Sequence, residues 1–146
     1  MAYSPLRILI IAADALARAG LSAILSTQSD LQVIGQLEPT ENLEDAISVF
    51  QPDVILLDIG YNTDDAVDTL TDFTQQSSPT STPVLVLVAD SSLAAPLWQA
   101  GVRALLPRSA PVATLAAALH AAAAQLIVLD QRAASSVLVP AYGLPQ

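Results

Sequence analysis

Three short apolar runs of strand length place the tightest constraint on how this chain folds. They are Arg7 to Ala12, Val54 to Leu57 and Val84 to Val88, and Val, Ile and Leu dominate them. Because these runs do not alternate with polar residues, they predict strands covered on both faces, as in a parallel sheet. The run from Leu31 to Leu37 does alternate and predicts an edge strand. A short run from Val102 to Leu106 supplies a fifth strand.

Between these runs, apolar residues recur at helical spacing. In the segment from Thr40 to Gln51 they stand at i, i+3, i+4 and i+7, and Thr40 suits the cap of the first turn. Four further helices are predicted in the same way, each bounded by a capping or terminating residue: Asp14, Asp64 with Asp65, Gly101 and Pro111.

Five strands that alternate with five helices predict an α/β fold with a doubly wound parallel sheet and helices on both faces. With 146 residues, the chain is long enough for one sizeable core and too short for two ordinary domains. We therefore expect one domain over residues 1–130, followed by a C-terminal tail or linker over residues 131–146.

Composition and charge exclude several kinds of site. The chain has no cysteine, which excludes disulfide scaffolds, thiolate zinc sites, iron–sulfur ligation and cysteine nucleophiles. Its formal net charge is −9 and its five arginines are scattered, so it lacks the clustered cations that bind nucleic-acid phosphates. No apolar run approaches the roughly 18 residues of a membrane-spanning helix. We expect a cytoplasmic protein without membrane contact.

The carboxyl ends of the predicted strands are where a parallel sheet of this kind binds ligands. Asp58 directly follows the run from Val54 to Leu57 and is the most informative residue at this edge. Its carboxylate suits phosphoryl acceptance or metal binding, and it equally suits capping of the next turn. A small α/β enzyme or nucleotide-binding domain is disfavoured, because the sequence has no glycine-rich phosphate loop and no Ser/His/Asp set in a suitable context. We do not expect an enzyme.

Three segments of the chain resemble a known family. They are RILIIAADALARAGLSAIL at residues 7–25, QPDVILLDI at 51–59 and AGVRALLPRSAPVATLAAAL at 100–119. From about Leu6 to Asp130, the chain looks like the receiver domain of two-component response regulators, in the NarL-type branch that carries a C-terminal helix-turn-helix. The resemblance implies a flavodoxin-like sheet with strand order 2-1-3-4-5. It also implies that residues 131–146 lead toward a DNA-binding domain that is absent from this chain.

The acidic pair that holds Mg²⁺ in such receivers is missing. The two positions after the first strand are Ala12 and Ala13, and Asp14 occupies the next one. We expect Asp14 to cap the following helix rather than to act as a metal ligand. Because Mg²⁺ depends on oxygen ligands, its binding is expected to be lost or very weak, and no other cofactor is expected.

Further departures from the resemblance bear on phosphorylation. Asp58 matches the phosphate-accepting aspartate of the family, but the hydroxyl residue after the fourth strand corresponds to Val88 or Ala89. The family's lysine corresponds to Arg108, whose guanidinium is suited to a permanent ion pair with Asp58. We expect a receiver that signals without phosphorylation. The alternative is a conventional receiver that accepts phosphate on Asp58, with Asp14 as a poor metal ligand.

The last predicted helix has a second apolar stripe outside its inward face. Small residues let two helices approach closely, and a helix that is apolar on two faces usually meets something on both. We therefore expect a constitutive homodimer that acts in transcriptional regulation, with a sensor or other regulatory protein as a further partner. An alanine-rich helix that faces solvent is the alternative. The candidate interface residues are Trp98, Ala113, Ala117, His120, Ala121 and Ala124.

Overall fold

The computed structural model of the protein describes residues 4–39, 41–59 and 82–138. Six strands lie within these residues: β1 (Leu6–Ala12), β2 (Leu31–Leu37), β3 (Val54–Asp58), β4 (Val84–Val88), β5 (Ala104–Pro107) and β6 (Val128–Leu129). They form one parallel sheet in the order β2-β1-β3-β4-β5-β6. The predicted order 2-1-3-4-5 and the edge position of β2 are confirmed. The strand β6, at the opposite edge, is additional.

Five α-helices lie in the same part of the chain: α1 (Ala15–Leu25), α2 (Leu43–Phe50), α3 (Ala94–Gln99), α4 (Val112–Ala123) and α5 (Gln131–Leu138). One turn of 3₁₀ helix, Ser91–Leu93, directly precedes α3. None of these helices has both the length and the apolar character needed to cross a membrane. The helix predicted after Asp64 and Asp65 lies outside the described residues.

Side-chain caps fix the starts of the first two helices. The Asp14 carboxylate accepts a hydrogen bond from the backbone N–H of Leu16 at 3.1 Å, which confirms it as the cap of α1. The helix α2 is capped by Asn42, whose side-chain oxygen accepts from the N–H of Asp45 at 3.1 Å. The cap lies two residues after the predicted one, Thr40, which is outside the described residues.

The fifth strand begins two residues later than predicted. The N–H of Val102 donates to the carbonyl of Leu97 at 3.0 Å, which closes the turn after α3 before the strand starts at Ala104. Gly101 has a φ of 106°, a conformation that favours glycine, and it ends the helix as predicted.

The sheet has a hydrophobic core on each face, because side chains of a strand point alternately to its two sides. On one face, Ile8, Ile10 and Leu56 pack with Leu115 and Leu119 of α4. The other face packs against α2, α3 and α5, through the residues Leu9, Ile11, Ile55, Ala46, Leu97 and Ala133. Both faces are covered, as the continuous apolar runs predicted.

The sequence pattern does not predict β6 and α5. The register of β6 places Val128 beside Ala104 and Leu129 beside Leu105. The carboxylate of Asp130 accepts from the N–H of Ala133 at 3.2 Å and caps the helix that follows. The first half of the expected tail, residues 131–138, is thus a helix that packs against the domain.

Candidate functional site

Asp58 lies at the carboxyl end of β3, in the middle of the sheet edge where ligands bind to this class of fold. Its neighbours across the sheet are Ala12 on β1 and Leu87 on β4. Asp58 is 5% exposed, and among the described residues it is the only polar or charged one that is buried. The strand order reverses between β1 and β3. The Asp58 carboxylate therefore lies at the position where sheets of this kind bind ligands.

A guanidinium group lies directly against this carboxylate. Nη2 of Arg108 donates to Oδ2 of Asp58 at 2.9 Å, and the side chains are 32% and 3% exposed, respectively. Arg108 follows β5, and its backbone N–H donates to the carbonyl of Val88 at 2.9 Å. The pair therefore connects the ends of β3, β4 and β5 at the rim of the site. A charge-assisted bond of this length is strong because Asp58 is shielded from water.

Ala12 and Ala13 stand where receivers have their acidic pair, and their side chains supply no oxygen ligands. Ala12 is buried at the end of β1, and Ala13 is exposed beyond it. The Asp14 carboxylate is engaged at the start of α1. Within the described residues, no cluster of three or more His, Asp or Glu side chains is suited to hold a metal ion. Mg²⁺ prefers an octahedral set of oxygens, and the residues that the structure describes around Asp58 do not fit such a site.

Arg18 holds the backbone at the end of β1. Its Nη1 donates to the carbonyls of Ala12 and Ala13, and its Nη2 lies 3.6 Å from Oε1 of Glu38. In the sequence, Arg18 is one of five scattered arginines, and the pattern around it does not indicate this role. Its position one turn into α1 brings it near the end of β1, but this spacing alone does not predict the contact.

The end of β4 presents no hydroxyl group to Asp58. Val88 is 3% exposed and Ala89 is half-buried. The next residue, Asp90, accepts from the N–H of Ser92 at 3.0 Å and caps the 3₁₀ turn. Neither Val88 nor Ala89 has a polar side chain. This strand end therefore has no side chain that could form a hydrogen bond to a charged group placed on Asp58.

The candidate interface residues do not form one surface. Ala113 and Ala117 are exposed on α4, Ala121 is half-buried on it, and Ala124 is exposed at its C-cap. Trp98 lies on α3, which packs on the opposite face of the sheet, and the guanidinium of Arg103 lies 3.9 Å from its ring centroid.

His120, on the same helix as the alanines, is engaged with a residue from another part of the fold. Its Nε2 lies 2.7 Å from Oδ2 of Asp30, in the turn before β2.

A groove of about 380 Å³ lies between α1 and α4. Leu21 and Ile24 line it from the first helix, and Val112 and Leu115 line it from the second. Arg108 is the charged residue of the lining, so the groove adjoins the rim of the Asp58 site. The sequence pattern does not predict this groove.

Comparisons with known proteins agree with this architecture. No family model matches the chain. The transcriptional regulatory protein LiaR of Bacillus subtilis (strain 168) is 29% identical over 134 residues, which cover 91% of this chain and 63% of LiaR. The chain therefore spans less than two thirds of the length of this relative.

Solved structures of response regulators have the same fold. A LuxR-family DNA-binding response regulator from Silicibacter pomeroyi has a TM-score of 0.67 at 24% identity, over 88% of this chain and 98% of that one. The response regulator ChrA of a heme-sensing two-component system has a TM-score of 0.70 at 23% identity, over 98% of this chain and 68% of that one. The chain therefore has the fold of these response regulators, which is the fold that its resemblance to receiver domains implied.

Proposed function

We propose that this chain is a receiver-type signalling and dimerisation module that works without phosphorylation and controls transcription through a DNA-binding domain outside this chain. The observation that carries the proposal is the ion pair between Arg108 and Asp58, next to alanines where receivers have their acidic pair. A partner or ligand, rather than a phosphoryl group, would set its conformation.

The absence of suitable metal ligands among the described residues around Asp58 argues against phosphoryl transfer to this side chain. Such transfer depends on cations that neutralise the charge that develops on the phosphoryl oxygens. Each carboxylate near a metal ion contributes on the order of several kcal/mol of attraction, at an effective dielectric constant of about 20 and before desolvation. Two such groups are replaced by Ala12 and Ala13, and Arg108 already neutralises Asp58.

The end of β4 argues against a phosphorylation switch as well. A phosphoryl group changes a conformation only through contacts that differ between the two states. Val88 and Ala89 provide no hydrogen bond to such a group. Even a phosphorylated Asp58 would therefore lack a side chain at this strand end that responds to it.

The output that we propose follows from the relatives and from charge. LiaR is a transcriptional regulatory protein that extends beyond the part matched here. A chain with a net charge of −9 is unsuited to bind DNA directly. We assign DNA contact to a separate domain and the regulation of that contact to this one.

Homodimerisation is supported by the outer surface of α1 and α4. Ala113 and Ala117 are exposed on α4, and Leu16 and Ile24 are exposed large apolar residues on α1. An exposed apolar surface on two adjacent helices is typical of an interaction site. In a two-fold dimer, the same surface of both copies would come together.

Calorimetric titration with Mg²⁺ tests the proposal at its metal site. We expect no binding heat at millimolar Mg²⁺, and the same result for Asp58→Asn as a control. Binding at millimolar or lower concentration that Asp58→Asn abolishes would show a working metal site, and would favour the conventional receiver that uses Asp58.

A further inference from the structure

The groove between α1 and α4 extends from the sheet to the protein surface. Leu87 of β4 and Leu115 of α4 line it and are buried. On the α1 side, Leu21 is half-buried and Ile24 is 46% exposed. A molecule that enters between the two helices would therefore contact the core of the protein.

The size and the lining of this groove suit a small apolar ligand. Its volume of about 380 Å³ lies near the lower end of the range for small-molecule sites, which is roughly 300–1,000 Å³. Ala110, Pro111 and Val112 continue the apolar lining at the start of α4. Burial of an aliphatic or aromatic group here is favourable because it removes apolar surface from water. A ligand with many polar groups would find few partners in the described lining.

One charged side chain, that of Arg108, belongs to the described lining. Its Nη2 donates to Oδ2 of Asp58, whose side chain is 3% exposed and is not part of that lining. The Arg108 side chain is 32% exposed, so the guanidinium is the member of the ion pair that an occupant of the groove meets. A guanidinium carries five N–H donors in a planar fork, so one such group commonly serves more than one acceptor.

We propose that this groove binds a small amphiphilic carboxylic acid, with its apolar body between α1 and α4 and its carboxylate on Arg108. The planar fork of a guanidinium matches the geometry of a carboxylate. In the bound state, the ligand competes with Asp58 for the same guanidinium, because two carboxylates then share one cation. The proposal names the chemical class of the ligand that the proposed function requires, and so it rests on that function.

Titration of the full chain with octanoate, followed by methyl NMR, tests the site directly. We expect saturable shifts of the methyl signals of Leu21, Ile24 and Val112, which line the groove, and no shift of Val49, which is exposed on α2. Octanol has the same chain without the charge, and acetate has the charge without the chain. Each is expected to bind at least about tenfold more weakly than octanoate, because each lacks one of the two contacts.

Substitutions at Arg108 test the contact with the carboxylate. Arg108→Gln is expected to weaken octanoate binding by about tenfold or more and to leave octanol binding unchanged. Arg108→Lys keeps the positive charge and is expected to retain most of the affinity for octanoate. It also keeps the test decisive if Arg108→Gln does not fold. The control is Arg132→Gln, an exposed arginine on α5 outside the described lining, and it is expected to have no effect.

A groove-filling substitution tests where the apolar body lies. Ala110→Trp places a large ring in the groove and is expected to abolish the binding of octanoate and of octanol. The matched control is Ala19→Trp, because Ala19 is exposed on α1 and is not part of the described lining. It is expected to leave both affinities unchanged.

Replacement of the competing carboxylate gives the opposite effect. Asp58→Asn removes a negative charge beside Arg108, and it is expected to strengthen octanoate binding several-fold without changing octanol binding. A merely apolar groove would bind both probes equally in the wild type and in this variant, and that result would overturn the proposal.

Three further results would overturn it: no saturable shift with octanoate, full octanoate affinity in Arg108→Gln, or full affinity in Ala110→Trp. Lining methyl signals that respond to protein concentration but not to octanoate would assign the groove to a second copy of the chain, and would overturn it as well. This failure is distinct from failure of the proposed function, which a phosphoryl group gained on Asp58 would show in the mass of the protein.

Discussion

The Asp58 carboxylate is buried, whereas the Arg108 guanidinium is partly exposed. We therefore expect substitution of these two residues to lower the free energy of unfolding by different amounts. Arg108→Met leaves a buried charge without its guanidinium, and we expect it to lower the free energy of unfolding by about 1–3 kcal/mol. Asp58→Asn is expected to cost less, because the remaining guanidinium is one that water reaches. Urea denaturation of both variants measures this order.

Arg132→Met serves as the control for that comparison. Arg132 is an exposed arginine on α5, so we expect its replacement to change stability by no more than about 0.5 kcal/mol. If Asp58→Asn lowered the free energy of unfolding more than Arg108→Met does, the ion pair would not be the main interaction that stabilises the buried Asp58 carboxylate.

The sequence predicts which residues meet at the site better than it predicts their contacts. Asp58, Ala12 and Val88 are brought to one edge because the carboxyl ends of parallel strands coincide, and strand order alone ensures this. The contacts of Arg18 with two backbone carbonyls depend on how α1 is oriented against β1. The apolar runs do not specify that orientation, so this role is not predictable from spacing.

At the scale of secondary-structure elements, substitutions at two glycines are expected to change the free energy of unfolding in opposite directions. Gly20 lies inside α1, and a Cβ atom there meets nothing within 4 Å. We expect Gly20→Ala to raise the free energy of unfolding by about 0.5–1 kcal/mol, because alanine loses less backbone entropy in a helix. A Cβ atom at Gly35 on β2 lies 3.0 Å from the ring of Phe50, so Gly35→Val is expected to cost about 1–3 kcal/mol through overpacking. Thermal unfolding of both variants would contradict this account if the two shifts had the same sign.

The buried strands are predictable because their apolar character is continuous, whereas β6 and α5 are not. A strand of two residues is too short to show any period, and α5 is rich in alanine and serine. Its signal is local: Asp130 caps the helix, and Ala133 and Val137 stand four residues apart. Whether such a weak pattern forms a helix is decided by the surface of α3, which the sequence pattern does not reveal.

At the scale of the whole molecule, the exposed stripe of α4 predicts self-association. We expect a homodimer that is weak, because alanine faces bury little area and burial contributes about 25 cal/mol per Å². Ala117→Glu places a charge in the middle of the stripe and is expected to give a monomer in sedimentation experiments. Val49→Glu, an exposed apolar residue on α2 at the other face of the sheet, is the control and is expected to leave the dimer intact. A monomeric wild type at high micromolar concentration, or a dimer that is indifferent to Ala117→Glu, would exclude this surface as the interface.

The central claim is that this receiver fold signals without a phosphoryl group on Asp58. Incubation of the full chain with acetyl phosphate and Mg²⁺, followed by intact mass measurement, tests it most directly. We expect the mass to stay unchanged, because the alanines at positions 12 and 13 cannot hold the metal and Arg108 occupies the carboxylate. A stoichiometric gain of one phosphoryl group that disappears in Asp58→Asn would contradict the account.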